Sequence, residues 1–191
     1  MSKQAIEKLV VVGGGTAGWM SAALISQLFK GTLEIELVES DAIGTVGVGE
    51  ATIPPIQVFN DLAGVDEQEF LRDTKATIKL AIEFQNWGAI GDRYLHGFGF
   101  VGRNVGAISF QHVYLKALAA GVAGPISDYS LNNLAAAAGR FNRLARIEDT
   151  PLPGISYAYH FDAGLYAKFL RKQSEARGVK RCEGRIQEVI L

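Results

Sequence analysis

Only one cysteine, Cys182, stands among the 191 residues. No intrachain disulfide can form, and a reducing compartment, read as cytoplasmic, is favoured. Histidine is also scarce: His96, His112 and His160 show no spacing to one another or to the cysteine that a metal site needs. We expect no metal. No apolar run approaches the roughly 18–20 residues of a membrane span, and the opening MSKQAIEKLVVV is charged before it turns apolar, unlike a secretory signal. Nor is charge of either sign in excess: 19 Lys and Arg meet 20 Asp and Glu, for a formal net charge of -1. Such a balance offers no polyanion surface, so neither nucleic acid nor a membrane is an expected partner. Ser109 and Ser156 lie in no G-x-S-x-G elbow, which argues against that hydrolase chemistry. What remains is a composition 48% hydrophobic and 20% charged, that of a folded chain with a sizeable core.

The informative stretch is LVVVGGGTAG, Leu9 to Gly18. A short apolar run flows into Gly13, Gly14, Gly15, Thr16, Ala17 and Gly18, and a helix-like segment follows. In G-x-G-x-x-G the first glycine permits a tight turn, the second lets a phosphate approach the backbone, and the third lets the helix pack close to the strand. The unpaired N–H groups at the helix start, where Thr16 and Ala17 stand, suit a pyrophosphate. A second apolar run, Leu33–Val38, ends in Glu39 with Ser40 beside it. An acid about 20 residues after the glycines typically accepts from the ribose hydroxyls of an adenine dinucleotide. A glycine-rich turn with a surface glutamate is the plainer alternative. The full order of strand, glycines, helix, strand and acid weighs against it.

The remaining pattern predicts an α/β chain with a mainly parallel, Rossmann-like sheet. Helix 16–29 has an expected inner stripe of Met20, Ala23, Leu24 and Leu28. A loop at 43–55 carries Gly47, Gly49, Glu50 and Ala51, with Pro54 and Pro55 stiffening its exit. Short helices are expected at 55–62 and 67–73. Residues 78–84 alternate: Ile78, Leu80, Ile82 and Phe84 point one way, Lys79, Ala81 and Glu83 the other, which predicts one half-buried strand. Residues 95–106 hold too much glycine for a regular element. Helices are expected at 109–120, 130–138 and 161–177, the last capped by Asp162, and strands at 179–183 and 186–191. Ending within a strand, the chain reads as one incomplete N-terminal domain, 1–191, truncated at its C-terminus.

Three motifs in order carry a resemblance: WMSAA (Trp19–Ala23), GVGEATIPP (Gly47–Pro55) and KLAIEFQNW (Lys79–Trp87). The segment AYHFDAGLYAKFLR (Ala158–Arg171) supports them. Together they resemble the flavin-dependent tryptophan halogenases over most of the chain. The resemblance implies FAD as cofactor, delivered reduced by diffusion from a separate flavin reductase. It further implies oxidation of chloride or bromide to hypohalous acid, which passes through a tunnel to an aromatic substrate. The implied cofactor residues are Gly13, Gly15, Thr16, Ala17, Gly18, Glu39, Ser40, Gly47, Gly49, Glu50 and Ala51. The implied catalytic residue is Lys79, which would activate the halogen. Read without the resemblance, Lys79 is a solvated lysine sharing a polar strand face with Glu83. The family's W-x-W-x-I-P motif is not in these residues, and the lysine's partner glutamate has no place among them. An FAD-dependent monooxygenase and a non-catalytic dinucleotide-binding module remain the alternative functions. Self-association as a homodimer is left open.

Overall fold

The computed structural model describes residues 5–43 and 50–190. In chain order these form β1 (Lys8–Val12), α1 (Thr16–Phe29), β2 (Glu34–Glu39), β3 (Glu50–Ala51), α2 (Pro55–Leu62), α3 (Glu67–Asp73) and β4 (Thr77–Lys79). Then follow β5 (Ala81–Gln85), β6 (Arg93–Gly97), α4 (Phe110–Ala119), α5 (Leu131–Ala137), β7 (Ala158–Phe161), α6 (Ala163–Ala176) and β8 (Lys180–Glu183). The chain divides into two compact units, Met1–Thr77 with Tyr159–Leu191, and Ile78–Ala158.

In the first unit β1 and β2 pair in parallel, Leu9 opposite Ile35 and Val11 opposite Leu37. Parallel neighbours need a crossover, and α1 supplies it. β2 then pairs in parallel with β8, giving the order β1–β2–β8. Ile35 and Leu37 are buried, while α1 packs on β1, β2 and α6. The α/β reading holds, with a parallel sheet beneath the glycines. Asp162 caps α6 as expected, its carboxylate accepting from the Leu165 N–H at 2.8 Å. Phe70 on α3 is fully buried, with Tyr159, Phe161 and Tyr166 set edge-on to it at 4.9, 5.5 and 5.4 Å. Each such pair adds about 0.5–1.5 kcal/mol beyond area burial. A small second sheet has the order β3–β7–β4.

The inner face of α1 differs from the expected stripe. Trp19, Ala22, Ala23 and Ser26 are buried, whereas Leu28 is 58% exposed. The expectation followed the larger apolar residues. Of that stripe Ala23 is buried, and beside it the face pressed against α6 buries the bulky Trp19 with small Ala22 and Ser26, which let the two axes approach. At the other end, residues 186–190 form no strand. β8 stops at Glu183, and the Gly184 N–H donates to the Glu39 carbonyl at the end of β2. β2 offers no further ladder positions beyond Glu39.

The second unit holds the antiparallel pair β5–β6, with Ile82 opposite His96. Here the predicted single strand 78–84 proves to be two. β4 and β5 belong to different sheets and separate at Leu80. β6 falls partly in the stretch read as too glycine-rich to be regular. Its glycine has a packing cause: a Cβ on Gly97 would meet the Asn133 side chain, and one on Gly99 would meet Asn132. Glycine in a strand often marks such a close approach. β7 was also unexpected, because its four residues directly precede a strongly helical segment.

Candidate functional site

The first candidate site is the turn between β1 and α1. Gly13 adopts φ +103°, a region costly for any residue bearing a Cβ. Its N–H donates to the Val38 carbonyl at 2.9 Å, which fastens the turn to β2. Gly15 is the N-cap of α1, with extended backbone and no capping side chain. The first intrahelical bond runs from Trp19 N–H to the Gly15 carbonyl at 3.1 Å, so the N–H groups of Thr16, Ala17 and Gly18 lie in the turn whose donors find no acceptor within the helix. A Cβ on Gly18 would collide with the Gly13 carbonyl, whereas one on Gly15 would meet nothing within 4 Å. The third glycine is therefore demanded by the fold, and the second leaves open space before the helix. That cradle fits a pyrophosphate.

Glu39 closes the same turn. A Cβ on Gly14 would overlap its carboxylate, so the acid lies directly against the glycines. Its Oε1 accepts from Arg181 Nε at 2.6 Å and its Oε2 from Trp19 Nε1 at 3.2 Å. Arg171 Nη1 stands 3.5 Å from Oε1. The neighbouring Ser40 Oγ accepts from the Ala42 N–H at 3.3 Å and shapes the turn after β2. Glu50 and Ala51 form β3, opposite Phe161 and His160 of β7. Gly47 and Gly49 lie outside the described residues. Arg181 and Trp19 were not read from the sequence as site residues. The signal for Arg181 is weak, a basic residue on a distant strand; Trp19 directly follows the glycine fingerprint.

The second candidate site lies in the other unit, at Lys79. The residue is only 6% exposed, so it is not the solvated lysine that alternation alone suggests. Glu83, its expected companion, lies near the surface and pairs with Arg93. Lys79 Nζ sits 5.2 Å from the centroid of the Phe98 ring, within cation–π range. Burial lowers its pKa below the ordinary lysine value, because desolvation disfavours the charged form. The following carbonyl, that of Leu80, accepts from Phe98 N–H at 3.1 Å and from Asn132 Nδ2 at 3.0 Å. Asn132 is 1% exposed and also bonds the Ser156 backbone through both ends of its amide. It helps line a cavity of about 520 Å³ with Phe100, Arg103, Tyr129, Leu131 and Ile147. Phe98 and Asn132 were missed in the sequence. An asparagine pair in a first helical turn is the one signal that points to Asn132, since such residues bond backbone groups.

Among the described residues no helix is long and apolar enough to cross a membrane. The family model for tryptophan halogenases matches residues 8–191. Tryptophan 7-halogenase RebH of Lentzea aerocolonigenes is 34% identical over 96% of this chain and 37% of its own length. Xcc4156, a flavin-dependent halogenase from Xanthomonas campestris, superimposes with a TM-score of 0.87 at 48% identity, covering 98% of this chain and 37% of that one. BrvH, a flavin-dependent halogenase from Brevundimonas sp. BAL3, gives 0.88 at 42% identity, over 97% and 37% respectively. The chain thus spans well under half the length of these relatives.

Proposed function

Because this chain belongs to the tryptophan halogenase family, we propose that it carries the cofactor-binding and lysine-bearing portion of an FAD-dependent enzyme. That enzyme halogenates an aromatic, tryptophan- or indole-like substrate. The burial of Lys79 beside Phe98 carries this reading. FAD, delivered reduced by diffusion from a separate flavin reductase, supplies with O₂ the two-electron oxidation of chloride or bromide to hypohalous acid. The residues around the glycine turn bind it. The N–H groups at Thr16, Ala17 and Gly18 receive the pyrophosphate beside Gly13 and Gly15, and Glu39 accepts from the ribose. Ser40, Gly47, Gly49, Glu50 and Ala51 complete the cofactor contacts. The assembly acts in the cytoplasm.

Lys79 takes the oxidised halogen. As an ammonium it donates a hydrogen bond to hypohalous acid and polarises the oxygen–halogen bond. As a free amine, which its lowered pKa favours, it attacks the halogen. The nitrogen–halogen bond forms, the oxygen–halogen bond breaks, and the departing hydroxide takes the amine's proton to leave as water. The electron-rich aromatic ring then attacks the halogen, the nitrogen recovers its electron pair and takes up a proton, and a base removes the ring proton. The cavity at Phe100, Tyr129 and Asn132, within the same unit as Lys79, has room for such a ring.

The test uses the full-length protein with a flavin reductase, halide and an indole, followed by mass spectrometry. Halogenated product from wild type and at most traces from Lys79→Ala is the expected result. Hydroxylated product from wild type would replace this reading with monooxygenation, and FAD retained without turnover would replace it with a binding module.

A further inference from the structure

We propose that Trp19 and Arg181 are positioning residues for the adenosine end of the cofactor site, holding the Glu39 carboxylate ready to accept the ribose diol. This rests on the FAD reading above. Glutamate is a flexible residue, and one left free must be ordered when the ligand arrives, which weakens binding. Glu39 is not left free. Arg181 Nε fixes Oε1 at 2.6 Å and Trp19 Nε1 fixes Oε2 at 3.2 Å. The side chains of Arg181 and Glu39 are only 14% and 15% exposed. Arg181 is itself anchored, its Nη2 reaching Asp41 Oδ1 at 2.6 Å and Glu183 Oε2 at 2.5 Å. Trp19 is 1% exposed, and the Arg171 guanidinium stands 6.0 Å from its ring.

The geometry leaves acceptor capacity over. A carboxylate offers about four lone-pair directions, and the hydrogen bonds from Arg181 and Trp19 take one on each oxygen. The carboxylate also lies against Gly14, where a Cβ would overlap it, so the acid is held beside the phosphate cradle. The surroundings are rich in acceptors, with Glu39, Asp41 and Glu183 set against Arg171 and Arg181. That suits a neutral diol, whose hydroxyls can donate to a carboxylate without adding charge. An indole N–H explains what phenylalanine could not do at position 19: fill the same space and also orient the acid.

Isothermal titration of the full-length apoprotein with ADP and with 2′,3′-dideoxy-ADP tests this. Wild type is expected to prefer ADP by roughly tenfold, the scale of one charge-assisted hydrogen bond, and Glu39→Ala to abolish that preference. Trp19→Phe and Arg181→Met are each expected to reduce it about threefold or more, with dideoxy-ADP bound as by wild type. A full preference retained in both variants, with wild-type melting temperatures, overturns the inference while leaving the FAD reading in place. Failure of Glu39→Ala to change the preference, or no binding of ADP by wild type, overturns the placement of the nucleotide itself, and the inference with it. Should Trp19→Phe not fold, Arg181→Lys joins Arg181→Met: it keeps the charge and loses the planar fork, and is expected to fall between Arg181→Met and wild type. An Arg181→Lys preference equal to that of wild type counts against the inference.

Discussion

The glycine turn and the Lys79 site place opposite demands on the chain. The first is built from main-chain groups, so its specification is an absence: Gly13 must reach φ +103° and Gly18 must leave room for a carbonyl. The second depends on one long side chain drawn out of water, with its chemistry set by what buries it. A backbone site announces itself by spacing, because the geometry of a turn dictates where glycine is needed. A side-chain site does not, because lysine has the same letter buried or exposed. The turn should therefore respond to added volume and the lysine to changed basicity.

The largest effect is expected at Lys79. In the full-length protein, Lys79→Ala should cut halogenated product by about 10²–10⁴-fold, the range of a lost proton-handling group, and leave FAD binding unchanged in a fluorescence titration. Lys79→Arg should not rescue, since a guanidinium stays protonated and cannot supply a nucleophilic amine. Appreciable product from either variant would blur the contrast between the two sites.

The glycines come next. Gly18→Ala should destabilise the fold by about 1–3 kcal/mol, as overpacking does, and lose FAD. Gly15→Ala should keep the wild-type melting temperature, since its Cβ enters open space, yet still lose FAD, because in the proposed mode that space takes the phosphate. Equal melting temperatures in the two variants would remove the distinction between fold glycine and ligand glycine. Glu39→Ala should weaken FAD binding by about 1–3 kcal/mol, the scale of a lost charge-assisted hydrogen bond.

Smaller still is a pH effect. The folded pKa of Lys79 lies below its ordinary 10.5, so between those two values the unfolded chain binds more protons. Stability should therefore rise with pH through that window, and Lys79→Met should remove the rise; chemical denaturation at a series of pH values checks it. The smallest effect belongs to Lys75→Ala. That residue is exposed and four positions away, and the variant should turn over normally.

Much of the first unit was legible. The run Leu9–Val12, the glycines, α1 and Glu39 fall where spacing puts them, because a βαβ crossover repeats the same geometry wherever it occurs. Asp162 was legible for a local reason, as a capping acid at a helix start. The inner face of α1 was legible only at Ala23, since Ala22 and Ser26 carry little hydrophobic signal and are buried by closeness of packing. Lys79 could be singled out only through KLAIEFQNW. Alternation read alone gave it to solvent, because the pattern runs on through Leu80 where the strands do not. Arg181 and Asn132 escaped for another reason: each acts on residues distant in sequence, Glu39 and Leu80, and nothing local marks such a partner.

The break at Leu80 also bears on how this protein can be altered. β4 ends in Lys79 and β5 starts at Ala81, each hydrogen-bonded into a different sheet, and the Leu80 carbonyl is held from two directions. A register slip inverts every side chain of the strand that slips, and one in the β5–β6 hairpin would have to break both the Phe98–Leu80 bond that continues its ladder and the Asn132–Leu80 bond from outside it. Insertions at the hairpin tip, between Gly88 and Gly91, leave both Leu80 bonds in place and are expected to vary the surface presented there without moving the lysine. The fold thus pairs a surface turn with a separately held Lys79, and a lineage or an engineer is expected to diversify the one at little risk to the other.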